Sequence, residues 1–224
     1  MIQRSSYPIN GHIEVICGSM FSGKTEELLR RVKRAQIARQ KVQVFKPTID
    51  DRFSKDHVQS HDSNRIASIP IQKPTELFNY LEDNTRVVGL DEAQFFDHSI
   101  IDVAQKLAYR GIQVIIAGLD MDFRGQPFGP MPGLLAIAEV VTKLSAVCVI
   151  CGAPGTRTQK TFGSLEVQDS PIAVGAKEMY EARCRFCHQA EGDLVGQAQT
   201  SAGRSPGLPP LGIETSVESP GVLA

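Results

Sequence analysis

The chain has 224 residues, with 24 Lys and Arg against 25 Asp and Glu and a formal net charge of −1, so no cation excess is present to neutralise nucleic-acid phosphates. Its 42% hydrophobic content is ordinary for a globular protein. No apolar run approaches the roughly 20 residues of a membrane-spanning helix, and the opening MIQRSSYP lacks a signal peptide's apolar segment; the expectation is a cytoplasmic protein with no nucleic-acid or membrane partner.

Residues 1–10 read as a loose lead-in, and Ile13–Cys17 as a short buried strand. The strand runs into Gly18-Ser19-Met20-Phe21-Ser22-Gly23-Lys24-Thr25, two glycines five apart followed by Lys and a hydroxyl residue, the phosphate-binding loop pattern. Gly18 and Gly23 admit backbone angles that turn successive N–H groups inward around phosphate oxygens. Lys24 brings a point charge to the β- and γ-phosphates, and Thr25 a hydroxyl to Mg²⁺. Thr25–Arg39 then reads as a helix with Leu28, Val32 and Ala35 on one face, its N-terminal N–H groups aimed at the phosphates. This stretch predicts a nucleoside triphosphate site.

Lys41–Phe45 is an alternating strand that stops at Pro47. Residues 48–65 are polar and aperiodic, a length of loop that is either functional or solvated and mobile; Asp50 and Arg52 in it are within chain reach of a nucleotide, whereas His57 and His61 have no ligand spacing. A short strand over Ile66–Ile71 and a short helix over Thr75–Leu81, with Thr75 as N-cap, follow. Arg86–Leu90 is an apolar strand ending in Asp91-Glu92. After a phosphate loop, such a strand end places Asp91 at the Mg²⁺ shell and leaves Glu92 as a general base.

Ser99–Arg110 reads as a helix with Ile100, Val103, Ala104 and Leu107 inward and Gly111 past its end. Gln113–Asp120 is an apolar strand suited to a parallel sheet covered on both faces. The loop 121–133 carries Phe123 and Phe128, which either stack on a flat ring or pin the loop to the core. Leu134–Lys143 is expected to be a helix. Of five cysteines, Cys17 is a core residue of the first strand; Cys148-x-x-Cys151 and Cys184-x-x-Cys187 form a four-thiolate set that suits a closed, structural zinc site, with His188 a less suitable ligand because the thiolates complete the shell. Residues 163–175 read as a flexible lobe between the pairs. From Ala190 onward the composition turns to Gly, Ser, Pro, Gln and Thr without an aromatic residue, and residues 190–224 are read as a disordered tail. No internal repeat is found.

The strand–helix alternation predicts a three-layer α/β core of the P-loop NTPase kind with a mainly parallel sheet over residues 1–145, and a small zinc-binding subdomain over 146–189. The loop GSMFSGKT, the strand end DEAQFF, the Gly-Leu-Asp followed by a Phe-containing loop, and the Cys pairs ending YEARCRFCH together resemble the zinc-containing, cellular and bacterial type of thymidine kinase, over residues 11–189. The resemblance implies transfer of the ATP γ-phosphoryl to the 5′-hydroxyl of thymidine, a nucleotide-salvage step for DNA synthesis. It matches Glu92 to the base, Lys24, Thr25 and Asp91 to the phosphate and Mg²⁺ apparatus, and Asp50, Asp51 and Arg52 to a loop near the phosphates. Ala93 and Gln94 join the nucleotide site on the same ground. Substrate contacts are implied for Met20, Phe95, Leu119, Phe123, Phe128, Thr158 and Tyr180, and for the lasso residues Pro171, Ile172, Ala173, Val174 and Gly175. The resemblance also implies a homotetramer and feedback inhibition by thymidine triphosphate. Three rival readings stand beside it: an ATP-driven nucleic-acid enzyme, which needs a basic groove or a second core; a nucleotide-gated regulatory module, which would tolerate loss of Glu92; and a kinase for another small acceptor, such as deoxyuridine or a different nucleoside.

Overall fold

The computed structural model describes residues 11–48, 67–161 and 179–189. Within them the chain runs β1 (Ile13–Gly18), α1 (Lys24–Ile37), β2 (Lys41–Pro47), β3 (Ser68–Ile71), α2 (Leu77–Tyr80), β4 (Thr85–Leu90), α3 (Ser99–Tyr109), β5 (Gln113–Gly118), α4 (Met131–Ile137) and β6 (Val140–Leu144). Four short strands follow, β7 (Ala146–Val147), β8 (Pro154–Gly155), β9 (Arg157–Lys160) and β10 (Tyr180–Arg183). The first six strands form one parallel sheet in the order β3-β2-β4-β5-β1-β6.

The alternation of side chains along a strand decides which layer each residue joins. Ile13, Val15 and Cys17 of β1, with Val114 and Ile116 of β5, point to a core shared with Leu107 of α3 and Leu134 of α4. Ile16, Ile115 and Ala117 point the other way, onto Leu28, Val32 and Ala35 of α1. Both faces are thus covered, as the continuous apolar runs of β4 and β5 require. The amphipathic stripes of α1 and α3 bury the residues that their spacing predicts. Cys17 is a buried core residue.

Three local expectations are corrected. The helix expected over 134–143 occupies Met131–Ile137, and Val140–Leu144 is instead an edge strand paired with Glu14–Gly18 of β1. Leu134, Ile137 and Val141 satisfy a helical period, but Val140, Val141 and Thr142 are β-branched, and the open edge of β1 supplies a ladder of backbone partners. Thr75 is not an N-cap; it lies inside a 3₁₀ turn, Pro74–Glu76, and no side chain caps the helix that follows. Pro74 fixes the first turn, and the Glu76 carboxylate accepts the Gln72 N–H at 2.9 Å. β2 includes Pro47 as its last residue, where a missing N–H costs the ladder little. Of the expected loop 48–65 only Thr48 is described; residues 49–65, the lobe 163–175 and the tail 190–224 lie outside the described residues.

β1, β4 and β5 all end at the same edge of the sheet, the C-terminal edge, where ligands of open parallel sheets bind. β7 pairs with β8 and β9 with β10, both antiparallel, as two small ribbons beside that edge. Among the described residues, no helix is long and apolar enough to cross a membrane.

Candidate active site

The phosphate-loop sequence forms a tight turn from β1 into α1. Gly18 (φ 144°), Phe21 (φ 64°) and Gly23 (φ 84°) all have positive φ. Gly18 is required twice over, because a Cβ there would also lie 2.3 Å from the Leu144 carbonyl oxygen of β6. No side chain caps the start of α1, so its first N–H groups remain for an anion. Lys24 Nζ donates to the Ser19 carbonyl at 2.7 Å, and Ser22 Oγ donates to the same oxygen at 2.8 Å. Burial lowers the Lys24 pKa, opposed by the carboxylates of Glu92, Asp91 and Asp120. Burial, with help from Asp120, pushes the Cys17 thiol up to about 11, which leaves it an inert neutral core group.

The strand ends bring three carboxylates toward that lysine. Thr25 Oγ1 lies 3.3 Å from each Asp91 carboxylate oxygen, and the Glu92 N–H donates to Asp91 Oδ1 at 3.0 Å. Burial first, and the Glu92 charge second, push the Asp91 carboxyl up to about 6 despite those donors and Lys24. The Thr25 hydroxyl beside the Asp91 carboxylate is a hard-oxygen pair, and it fits a small divalent cation that takes one or two protein oxygens and fills its shell with phosphate and water. Glu92 is exposed and sits in the left-handed region (φ 52°, ψ 40°). Ala93 and Gln94 are buried behind it, and Gln94 Nε2 donates to Glu92 Oε2 at 2.6 Å. Asp120, also buried, pairs with Lys143 at 2.6 Å, while its Oδ1 has no hydrogen-bond partner among the described residues.

The aromatic residues expected at the substrate sit in different settings. Phe95 and Phe128 meet edge to face at 5.6 Å between ring centroids, forming one apolar wall. Phe123 is buried, with Arg124 and Lys160 over its ring at 5.1 and 5.5 Å. Leu119 is half-buried next to Gln94, its N–H bonded to the Gln94 side chain at 3.0 Å. Met20 and Thr158 are brought together directly, the Thr158 hydroxyl accepting the Met20 N–H at 3.1 Å. Tyr180 is buried on β10 opposite Lys160. Asp50, Asp51, Arg52 and Pro171, Ile172, Ala173, Val174 and Gly175 lie outside the described residues.

The two cysteine pairs converge. The sulfurs of Cys148, Cys151, Cys184 and Cys187 all lie within 4.8 Å of one another, and Cys151 and Cys184 are 3.7 Å apart. A tetrahedron of thiolates about 2.3 Å from zinc has sulfurs roughly 3.8 Å apart, so the set has the dimensions of a closed zinc site. His188 is turned away from ligation, its Nε2 bonded to the Phe123 carbonyl at 2.9 Å.

Three contacts were not foreseen from the sequence. Ser19 Oγ donates to the Gly155 carbonyl at 2.7 Å, joining the phosphate loop to the cysteine-bearing ribbons. The His188–Phe123 bond joins those ribbons to the aromatic loop. The Asp120–Lys143 pair depends on β6 being a strand; a third carboxylate at the end of an apolar strand was the signal available for it. A sequence model described as thymidine kinase matches residues 11–188, a span that takes in the phosphate loop, the Asp91-Glu92 strand end, the aromatic loop and all four clustered cysteines.

Proposed function

Because the chain belongs to the thymidine kinase family, we propose that it transfers the γ-phosphoryl group of ATP to the 5′-hydroxyl of thymidine, giving thymidine monophosphate for DNA synthesis. The observation that carries this reading is the convergence of Lys24, Thr25, Asp91 and Glu92 at one edge of the sheet, beside an apolar wall of Phe95 and Phe128.

The roles follow from the chemistry of each group. The N–H groups of Gly18 to Thr25 and the start of α1 cradle the phosphates. Lys24, now held by the Ser19 carbonyl, exchanges that partner for the β- and γ-phosphates. Thr25 and Asp91 would hold Mg²⁺, which would supply positive charge to offset that of the transferring phosphoryl group. Glu92 accepts the proton of the 5′-hydroxyl as the hydroxyl oxygen bonds to the γ-phosphorus and the bond to the β–γ bridging oxygen breaks, releasing ADP. Asp50, Asp51 and Arg52 approach the phosphates from their loop, Arg52 stabilising charge there. Met20, Phe95, Leu119, Phe123, Phe128, Thr158 and Tyr180 line the nucleoside site with the lasso, and the thymine methyl takes an apolar pocket. Cys148, Cys151, Cys184 and Cys187 would hold zinc, which would tie together the ribbons that meet the phosphate loop. The proposal includes a cytoplasmic homotetramer, inhibition by thymidine triphosphate, and the division at about residues 145 and 189.

The test is purified protein with ATP and Mg²⁺ and, in turn, thymidine, deoxyuridine, deoxycytidine and deoxyadenosine, scored for 5′-monophosphate. Product from thymidine with little from deoxycytidine or the purine is expected. ATP hydrolysis without nucleoside product would overturn the reading, as would failure to turn over ATP in protein that retains its zinc.

A further inference from the structure

Gln94 is only 2% exposed, yet its side chain has two polar ends, and both are used. Nε2 donates to Glu92 Oε2 at 2.6 Å, and Oε1 accepts the Leu119 N–H at 3.0 Å. Neither end can be exchanged, because a carboxylate only accepts and an N–H only donates. The amide orientation is therefore fixed by its partners. The backbone is shaped to admit it: Gly118, at the end of β5, has no Cβ, and one placed there would lie 3.0 Å from Gln94 Oε1 and 2.6 Å from Met131 Sδ.

Glu92 needs such a hold. It is exposed, its backbone is left-handed, and its carboxylate ends a side chain with three rotatable bonds. Lys24 attracts that carboxylate and Asp91 repels it, but neither charge is directional. A hydrogen bond to an ionised acceptor is both stronger and directional.

We propose that Gln94 is a positioning residue: it clamps Glu92 Oε2 so that Oε1 faces the acceptor hydroxyl, and it ties that carboxylate to Leu119 of the nucleoside wall. The proposal rests on Glu92 being the base. It adds a bridging role to the expectation that Gln94 belongs to the nucleotide site, with both ends of its side-chain amide bonded inside the protein. A base must lie within hydrogen-bond reach of the proton it takes, and a displacement of about 1 Å costs on the order of 10²-fold in rate.

A double-mutant cycle tests it: wild type, Glu92→Gln, Gln94→Met and the double variant, with kcat and KM for thymidine and ATP determined separately. Gln94→Met is expected to lower kcat by roughly ten- to a hundredfold, with both KM values within about threefold of wild type. In the Glu92→Gln background the same change is expected to cost less than about twofold, since the two residues act as one unit. Gln94→Glu is the second variant, of equal size; it still accepts the Leu119 N–H but offers Glu92 an ionised oxygen, and it is expected to lose at least as much turnover. Should Gln94→Met not fold, Gln94→Glu alone decides, and wild-type activity in it overturns the proposal. An equal loss from Gln94→Met in both backgrounds also overturns it, assigning Gln94 a structural role. If Glu92→Gln itself stays within about twofold of wild type, the base assignment falls and Gln94's role with it.

Discussion

Glu14, near the start of β1, and Asp91, just past the end of β4, are carboxylates partly withdrawn from water, and their acidities move in opposite directions. Burial alone would raise both. At Glu14 it is outweighed by donors from His12 (2.9 Å), Gln113 (2.6 Å) and Arg31 (2.6 Å), and the pKa falls below 4.5. Arg31 also bonds Glu27 at 2.8 Å and Thr142 at 2.9 Å, so one guanidinium ties α1 to β1 and β6. At Asp91 the donors are fewer and a second carboxylate, Glu92, sits alongside. Among the described residues, Asp120 nearby has a buried oxygen with no partner, and Lys24 donates to a carbonyl of its own loop. A network whose donors and acceptors cancel is architecture. One that leaves charge unsatisfied is prepared for something that arrives with charge of its own, here phosphate and a divalent cation.

The largest expected effect comes from breaking the open end. Glu92→Gln should lower kcat by about 10²- to 10⁴-fold, and Asp91→Asn by roughly 10²- to 10³-fold, read from initial rates at saturating thymidine and ATP. Neither should unfold the protein. Asp91→Asn, which removes a charge that burial disfavours, should raise the metal-free stability at neutral pH by about 1–2 kcal/mol, measured by urea unfolding in chelator. Equal losses of stability and activity would mean that Asp91 belongs to the scaffold.

The open end is also held from outside, by the bonds Ser19–Gly155, Met20–Thr158 and His188–Phe123 to the cysteine-bearing ribbons. Cys148→Ser should therefore reduce zinc from about one ion per chain and raise the KM for thymidine severalfold. Metal analysis and kinetics on the same preparation check this. Zinc at full occupancy in the variant, or none in wild type purified without chelator, would remove the zinc assignment.

What the sequence made legible follows the same division. The phosphate loop, the Asp91-Glu92 strand end and the cysteine pairs are contiguous runs at fixed spacing, because one local turn must present several groups at once. The amphipathic stripes of α1 and α3 were legible for the same reason. β6 was not, because Val140–Leu144 becomes a strand only through the edge that β1 offers it. The Gln94 side chain bridges Glu92 to Leu119, 25 residues away, a bridge that no spacing shows. The Glu14–Arg31 network joins residues 17 apart and extends to Thr142, 111 from Arg31, and no spacing rule announces such a closure.

At the closed end, Arg31→Met takes the guanidinium from Glu14, which keeps His12 and Gln113, and from Glu27, which keeps Arg30; it should cost about 1–2 kcal/mol of stability, leaving both KM values within about twofold of wild type. Loss of turnover at unchanged stability would contradict the division between the ends.

The smallest effect, and the most direct contrast, lies in pH dependence. Glu14 has its pKa lowered on folding, so its stabilising contribution is complete above 4.5 and is lost as pH falls through the folded value. Asp91 has its pKa raised from 3.8 to about 6, so the fold prefers its protonated form; stability from that preference is present below 3.8 and is lost as pH rises toward 6. The slopes are opposite in sign. Urea unfolding of chelated protein at intervals from about pH 3 to 7 should show Asp91→Asn flattening the decline between 3.8 and about 6, and Glu14→Gln flattening the loss below 4.5. Phosphate and Mg²⁺ favour the ionised Asp91, so adding ATP and Mg²⁺ should reverse the first slope while leaving the second in place. If both slopes responded to the ligands alike, the two ends would be titrating as one network, and the separation drawn from their hydrogen bonds would be wrong.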